Sequence, residues 1–196
     1  MNGELITAVA LGIALSASTG FRVFIPMLVA SVAAHFNIIP LTENFSWLGS
    51  LPAIISFGTA AVVEVLAYYI PFIDNLLDTI TTPLAVGAGT LLMTSVLPVD
   101  HELMKWIMGF IVGGGAAATM QSGSVLSRFT SSKFTGGTAN PVVSTGENVA
   151  ALGTSITALF IPVVVAIIFI FIAIIIFFKL FEWRRHSREK KSKATE

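Results

Sequence analysis

The chain has 196 residues, of which 55% are hydrophobic and only 11% charged, with a mean hydropathy of +0.86. Soluble domains carry about 25% charged residues, so an ordinary soluble fold is excluded. Its 11 basic and 11 acidic residues cancel, and the lack of cysteine excludes disulfides, thiolate metal sites and cysteine nucleophiles.

About 20 apolar residues are needed to cross a hydrocarbon core. The stretch Leu5 to Phe36 is too long for one upright span and is interrupted at Ser18-Thr19-Gly20-Phe21-Arg22, with Pro26 just beyond. Glycine and proline together predict a kinked or unwound helix there. Arg22 is the only interior charge of this stretch, and a guanidinium at membrane depth faces protein or water rather than lipid. Glu4, with no Lys or Arg ahead of the apolar run, lacks the basic start of a signal peptide, so a mature first helix is expected.

After a loop from His35 to Ser46, Trp47 opens a second span that closes at Tyr68-Tyr69-Ile70-Pro71, two interfacial aromatics and a stop. Glu64 lies inside it. Opposite charges in neighbouring apolar segments predict an Arg22–Glu64 pair, either a static lock on helix register or part of a path for an ion, proton or anionic headgroup.

Phe72 to Thr82 reads as a short amphipathic piece. Asp74, Asn75 and Asp78 within it offer oxygen ligands to a hard cation, although two carboxylates make only a partial shell and a solvated interfacial helix is the simpler reading. A third span is expected over Pro83 to Leu97 and a fourth over Leu103 to Met120, either side of the polar turn Asp100-His101-Glu102. The fourth holds Gly109, Gly113, Gly114 and Gly115, and Ala8, Gly12, Ser16 and Gly20 make a similar row on the first helix. Small residues let helix backbones approach, so these two helices are expected to pack together.

Gln121 to Asn148 is a composition break rich in Ser, Thr and Gly. Within it Asn140-Pro141 reads as a helix start, with Asn as the N-cap and Pro in the first helical position. The free N–H groups of that end would favour an anion or polar solute, and Glu147 lies close by. Aquaporins carry a similar Gly-Gly-x-x-Asn-Pro string, but here it occurs once rather than in two repeats.

From Val149 the chain is apolar to Phe178, divided by Pro162, and Val163 to Phe178 is apolar all round, which suits a lipid-facing helix. Seven of the 11 basic residues follow Phe178, which predicts a cytoplasmic C-terminus. Arg128 and Lys133 belong on the same side by that rule. Two full crossings do not fit easily between them and the tail. Either Pro141 to Phe160 is a half-helix with Ile161 to Phe181 as the span, or one long tilted helix leaves the Ser/Thr-rich loop outside.

The three histidines are far apart in sequence, and no hydrolase, metalloprotease or phosphate-loop motif occurs. The chain resembles a bacterial family of small multi-pass integral membrane proteins known only as a domain of unknown function. The strings that carry the resemblance are Ser18-Thr19-Gly20-Phe21-Arg22-Val23-Phe24-x-Pro26 and Glu64-x-x-Ala67-Tyr68-Tyr69-x-Pro71-x-x-Asp74-Asn75-x-x-Asp78. Pro83-Leu84-Ala85, Gly113-Gly114-Gly115-Ala116 and Gly136-Gly137-x-x-Asn140-Pro141-x-x-Ser144-x-x-Glu147 complete it. The resemblance implies a multi-pass membrane protein and supplies no activity.

The expected fold is an all-α membrane bundle of about five crossing segments, broken near Gly20–Pro26 and Asn140–Pro141. Residues 1–182 form one transmembrane domain, and residues 183–196 a basic, disordered cytoplasmic tail. Broken helices with polar residues at depth point to a small transporter or channel in the cell membrane, for an ion or small polar solute. Arg22, Glu64, Asn140 and Glu147 would line the pathway. The alternatives are a structural or assembly protein that binds partner helices, and a lipid-handling protein that uses Arg22 on a headgroup phosphate. No enzymatic step, cofactor or nucleic-acid partner is expected. The partners are the lipid bilayer, the solute and a second copy joined through small-residue helix faces.

Overall fold

The computed structural model describes residues 2–70, 73–136 and 138–192, with side chains over the same ranges apart from residues 2, 74, 75 and 180–192. Among the described residues the chain is helical, with no strand. Its α-helices are α1 (Asn2–Ser18), α2 (Phe24–His35), α3 (Leu51–Ala67), α4 (Ile73–Val96), α5 (Glu102–Met108), α6 (Gly115–Thr135), α7 (Asn140–Phe160) and α8 (Pro162–Ser192). A 3₁₀ turn at Glu43–Gly49 precedes α3, and a π-helical turn at Gly109–Gly114 joins α5 to α6 into one rod.

Three segments are long and apolar enough to cross a membrane: Leu76–Val96, Glu102–Thr135 and Pro162–Lys179. A fourth is formed if the 3₁₀ turn and α3, bent by 60°, count as one span. This fits an integral membrane protein, with fewer full spans than the five expected. The difference lies in the first segment, where α1 and α2 are shorter apolar helices separated at the expected break.

Local chemistry explains that break. Ser18 Oγ donates to Ala14 O and Thr19 Oγ1 to Ser16 O, so the hydroxyls occupy carbonyls at the end of α1. Pro26 sits in the first turn of α2, where a missing N–H costs nothing. Gly20 admits α6: a methyl group there would come within 2.5 Å of Met120 Cβ and 2.7 Å of Ala117 O.

α1 is the central helix, buried from Ala14 to Gly20 and packed on α4, α6, α7 and α8. The expected α1–α6 contact is therefore present, through Gly20. The glycine run of the π-helical turn has α4 as its main neighbour instead. A methyl on Gly89 would come within 2.7 Å of Gly113 O, and one on Gly114 within 2.8 Å of Thr90 Oγ1. Backbone contact this close explains why both helices carry glycine.

Two expected boundaries are corrected. Residues 73–82 are not a separate interfacial piece, because α4 runs straight through Pro83 as a single helix. Nor does the fourth helix end at Met120. α6 continues to Thr135 and α7 begins at Asn140, with the Ser and Thr hydroxyls satisfied by turning back onto their own helix. Ser122 bonds Ala118 O, Thr130 bonds Leu126 O and Thr135 bonds Ser131 O, each at 2.7–2.8 Å. Gly136, with φ 61°, then ends α6 in the left-handed conformation.

α7 and α8 break at Ile161, which rules out one long tilted helix. Val149 on α7 and Ile172 on α8 lie far from that break in sequence, yet they line the same cavity of about 430 Å³. The two helices therefore fold back on each other as a hairpin. α8 stays helical to Ser192, and its most apolar stretch is the least covered of the three spans, as its composition predicts. Residues 193–196 of the expected tail lie outside the described residues, as do the side chains of Glu182, Trp183, Arg184 and Arg185.

Candidate functional site

Arg22 and Glu64 are both buried, at 1% and 5% exposure, but they form no ion pair with each other. The expected pairing is corrected. The Glu64 carboxylate reaches from α3 to the start of α2, where it accepts from the backbone N–H groups of Val23 at 2.8 Å and Phe24 at 2.9 Å. A helix start leaves such donors unsatisfied, and its dipole favours a negative charge. Glu64 is thus a cap supplied by a neighbouring helix.

Arg22 turns instead to α7. Its Nη1 donates to Glu147 Oε2 at 2.8 Å and to Phe21 O at 2.9 Å, its Nε to Asn148 Oδ1 at 2.6 Å, and its Nη2 to Ser144 O at 3.2 Å. Every nitrogen of the guanidinium has a partner. Glu147 also takes Arg128 and Ser124 of α6, so this one carboxylate joins the break after α1 to α6 and α7. Arg128 in turn lies 3.3 Å from Asp78 Oδ1 on α4. The result is a chain of alternating charge, Arg22, Glu147, Arg128 and Asp78, buried except at the partly exposed Asp78.

Tyr68 is the hub of this chain. Its ring centroid is 3.9 Å from the guanidinium carbons of both Arg22 and Arg128. A cation over a buried ring gains about 2 kcal/mol or more. The phenol oxygen is 3.0 Å from Thr81 Oγ1 and donates to Asp78 Oδ1 at 3.3 Å, while Gln121 Nε2 donates to Thr81 Oγ1 at 3.2 Å. Tyr68 was expected at the membrane interface beside Tyr69. Tyr69 is indeed exposed, but Tyr68 is 4% exposed and sits in the charged core.

Of the expected site residues, Arg22 and Glu147 meet directly and Glu64 lies at the same break. Asn140 does not: it is the first residue of α7, and the cap position falls on Ala139. Its side chain exchanges hydrogen bonds with Ser132, tying the start of α7 to the end of α6. Of the suggested cation ligands, Asp78 joins the charged chain, while the side chains of Asp74 and Asn75 lie outside the described residues. Among the described residues no three His, Asp or Glu side chains cluster as metal ligands.

Sequence reasoning missed Arg128 and Tyr68. The signal for Arg128 was the spacing of Gln121, Ser124 and Arg128, a buried polar stripe three and four residues apart. An open cavity of about 260 Å³ between α4 and α6 reaches this arginine past Thr79, Thr82 and Ser132. It lies at the end of the bundle where α6 turns into α7.

No curated protein and no solved structure matches the chain. A family model does, over residues 9–182, which include every residue of the charged chain. The chain accordingly belongs to the family described as Domain of unknown function (DUF4126).

Proposed function

We propose that the protein is a small transporter or channel of the cell membrane for an ion or small polar solute, with the chain Arg22–Glu147–Arg128–Asp78 on its pathway. The observation that carries this reading is four charged side chains from the break after α1 and from α7, α6 and α4, three of them buried, linked in one chain that a cavity reaches from one end. Charge inside a membrane domain is costly and usually marks a route for solute or protons. A lock on helix register needs one ion pair, whereas here Glu147 is shared between two cations and can change its preference between them. The reading involves no enzymatic step.

Flux across sealed liposomes containing the purified protein tests it. Uptake of a small ion or polar solute above that of empty vesicles is expected, with at least a large loss in Glu147→Gln protein that still folds. Flux equal to empty vesicles across monovalent ions, protons and small polar solutes would sink the proposal.

A further inference from the structure

The first apolar segment enters the bundle and turns back inside it. α1 runs antiparallel to α4: Ser16 Oγ donates to Gly89 O at 2.7 Å and Thr19 Oγ1 to Ala85 O at 3.2 Å, while Gly12 lies against Met93 and Val96. The first residues of α1 therefore extend past the C-terminal end of α4, toward Asp100. Ala85 lies near the middle of the candidate span Leu76–Val96, so the break after α1 sits midway along it. From there the chain returns. Beyond α2, the Thr42 N–H donates to Ser95 O at 2.9 Å, and Ser31 Oγ of α2 donates to Leu48 O in the next turn. Both ends of the α1–α2 segment thus lie at one end of α4. Length agrees, because the 12 residues of α2 rise only about 18 Å, against a hydrocarbon core of about 30 Å.

We propose that α1 and α2 form a re-entrant hairpin, which enters and leaves by the membrane face bearing Asp100 and plugs that half of the bundle. A chain that turns back at membrane depth exposes backbone groups there, and protein must satisfy them. The polar residues of the tip do this. Glu64 takes the N–H groups of Val23 and Phe24, the Ser18 and Thr19 hydroxyls take carbonyls of α1, and Arg22 Nη1 takes Phe21 O. Ser18, Thr19 and Arg22 are all buried, so the tip is sealed from lipid.

The hairpin also closes one side of the charged chain. α1 fills the half of the bundle between Arg22 and the Asp100 face, so closely that a methyl on Gly12 would come within 3.2 Å of Val96 Cγ2. The cavity that reaches Arg128 opens at the opposite end, where α6 turns into α7. A solute passing between the two faces therefore requires α1 to move. That last step rests on the transport reading, whereas the hairpin stands on its own geometry.

The test uses the full chain with single cysteines and a membrane-impermeant thiol reagent. Gly3 and Ser46 are both exposed. Gly3→Cys and Ser46→Cys should label from the same side as Asp100→Cys and from the side opposite Lys133→Cys. Labelling of positions 3 and 46 from opposite sides would mean one kinked crossing and overturns the proposal, as does labelling of both from the side of Lys133. The plug is tested by a disulfide between Gly12→Cys and Met93→Cys, because a Cβ at position 12 lies 3.4 Å from the Met93 Cα, within reach of such a bond. Oxidation of this pair should abolish flux in sealed liposomes, and reduction should restore it. No cross-link, or undiminished flux once it forms, overturns the plug. The expected sidedness without any flux leaves the hairpin standing and removes the transport reading. Flux with positions 3 and 46 on opposite sides does the reverse.

Discussion

Glu147 and Arg22 are 125 residues apart in sequence and meet at 2.8 Å, with both side chains almost fully buried. Their contact ties the break after α1 to the second turn of α7. Because Arg128 shares the same carboxylate, the two residues are not an isolated pair, and this sets the order of their mutational effects.

Arg22→Met should cost about 3–5 kcal/mol, since removing one member strands the other in a buried site. Glu147→Gln should cost more, because it removes the negative charge shared by two buried guanidiniums and leaves one uncharged acceptor oxygen for them and Ser124. A double-mutant cycle between Arg22 and Glu147 should give a coupling of about 0.5–3 kcal/mol by unfolding in detergent, exceeding that of the Arg22–Glu64 cycle. A larger Arg22–Glu64 coupling would restore the pairing that charge alone suggests.

Glu64 acts on backbone. Glu64→Ala leaves the Val23 and Phe24 N–H groups unsatisfied and should cost about 1–3 kcal/mol. Glu64→Gln retains an uncharged acceptor and should fall between alanine and the native chain. Hydrogen exchange at these two amides should quicken in the same order. Exchange unchanged in Glu64→Ala would show that something else caps α2.

The helical class, the break before Pro26 and the burial of Arg22 and Glu64 were legible, because a charge or a Gly/Pro pair inside an apolar run has few solutions. Partner choice was not. Sequence reading matches charge with charge, but a helix break also exposes N–H groups, and these took Glu64. Arg22 was then free for a residue that only the folding back of α7 brings near. Arg128 stayed hidden because Ser and Thr look like loop residues until their hydroxyls bond to their own helix, as Thr130 does to Leu126.

Close packing at glycine gives a contrast within one substitution type. Gly20→Ala places a methyl group 2.7 Å from the Ala117 carbonyl, a backbone atom that cannot swing aside, and should cost about 1–3 kcal/mol. Gly146→Ala, on α7 with open space around it, should instead be neutral or stabilising by up to about 1 kcal/mol through helix propensity. Equal thermal shifts for the two would mean that α1 and α6 do not touch at Gly20.

The α7–α8 hairpin has a topological consequence. α7 leaves the end of the bundle where α6 finishes, and α8 returns toward it, so Lys133 and the basic residues after Phe178 belong on one side. α5 to α6 is a rod of 34 residues, which places Asp100, just before it, at the opposite end. The basic excess resists translocation, so the shared side should be the cytoplasm. The chain has no cysteine, so single cysteines can be placed without background. A membrane-impermeant thiol reagent added to intact cells should label Asp100→Cys, and should label Lys133→Cys and Ser187→Cys only after lysis. Labelling of positions 133 and 187 from opposite sides would refute the hairpin, and labelling of both from outside would keep the hairpin and reverse the orientation.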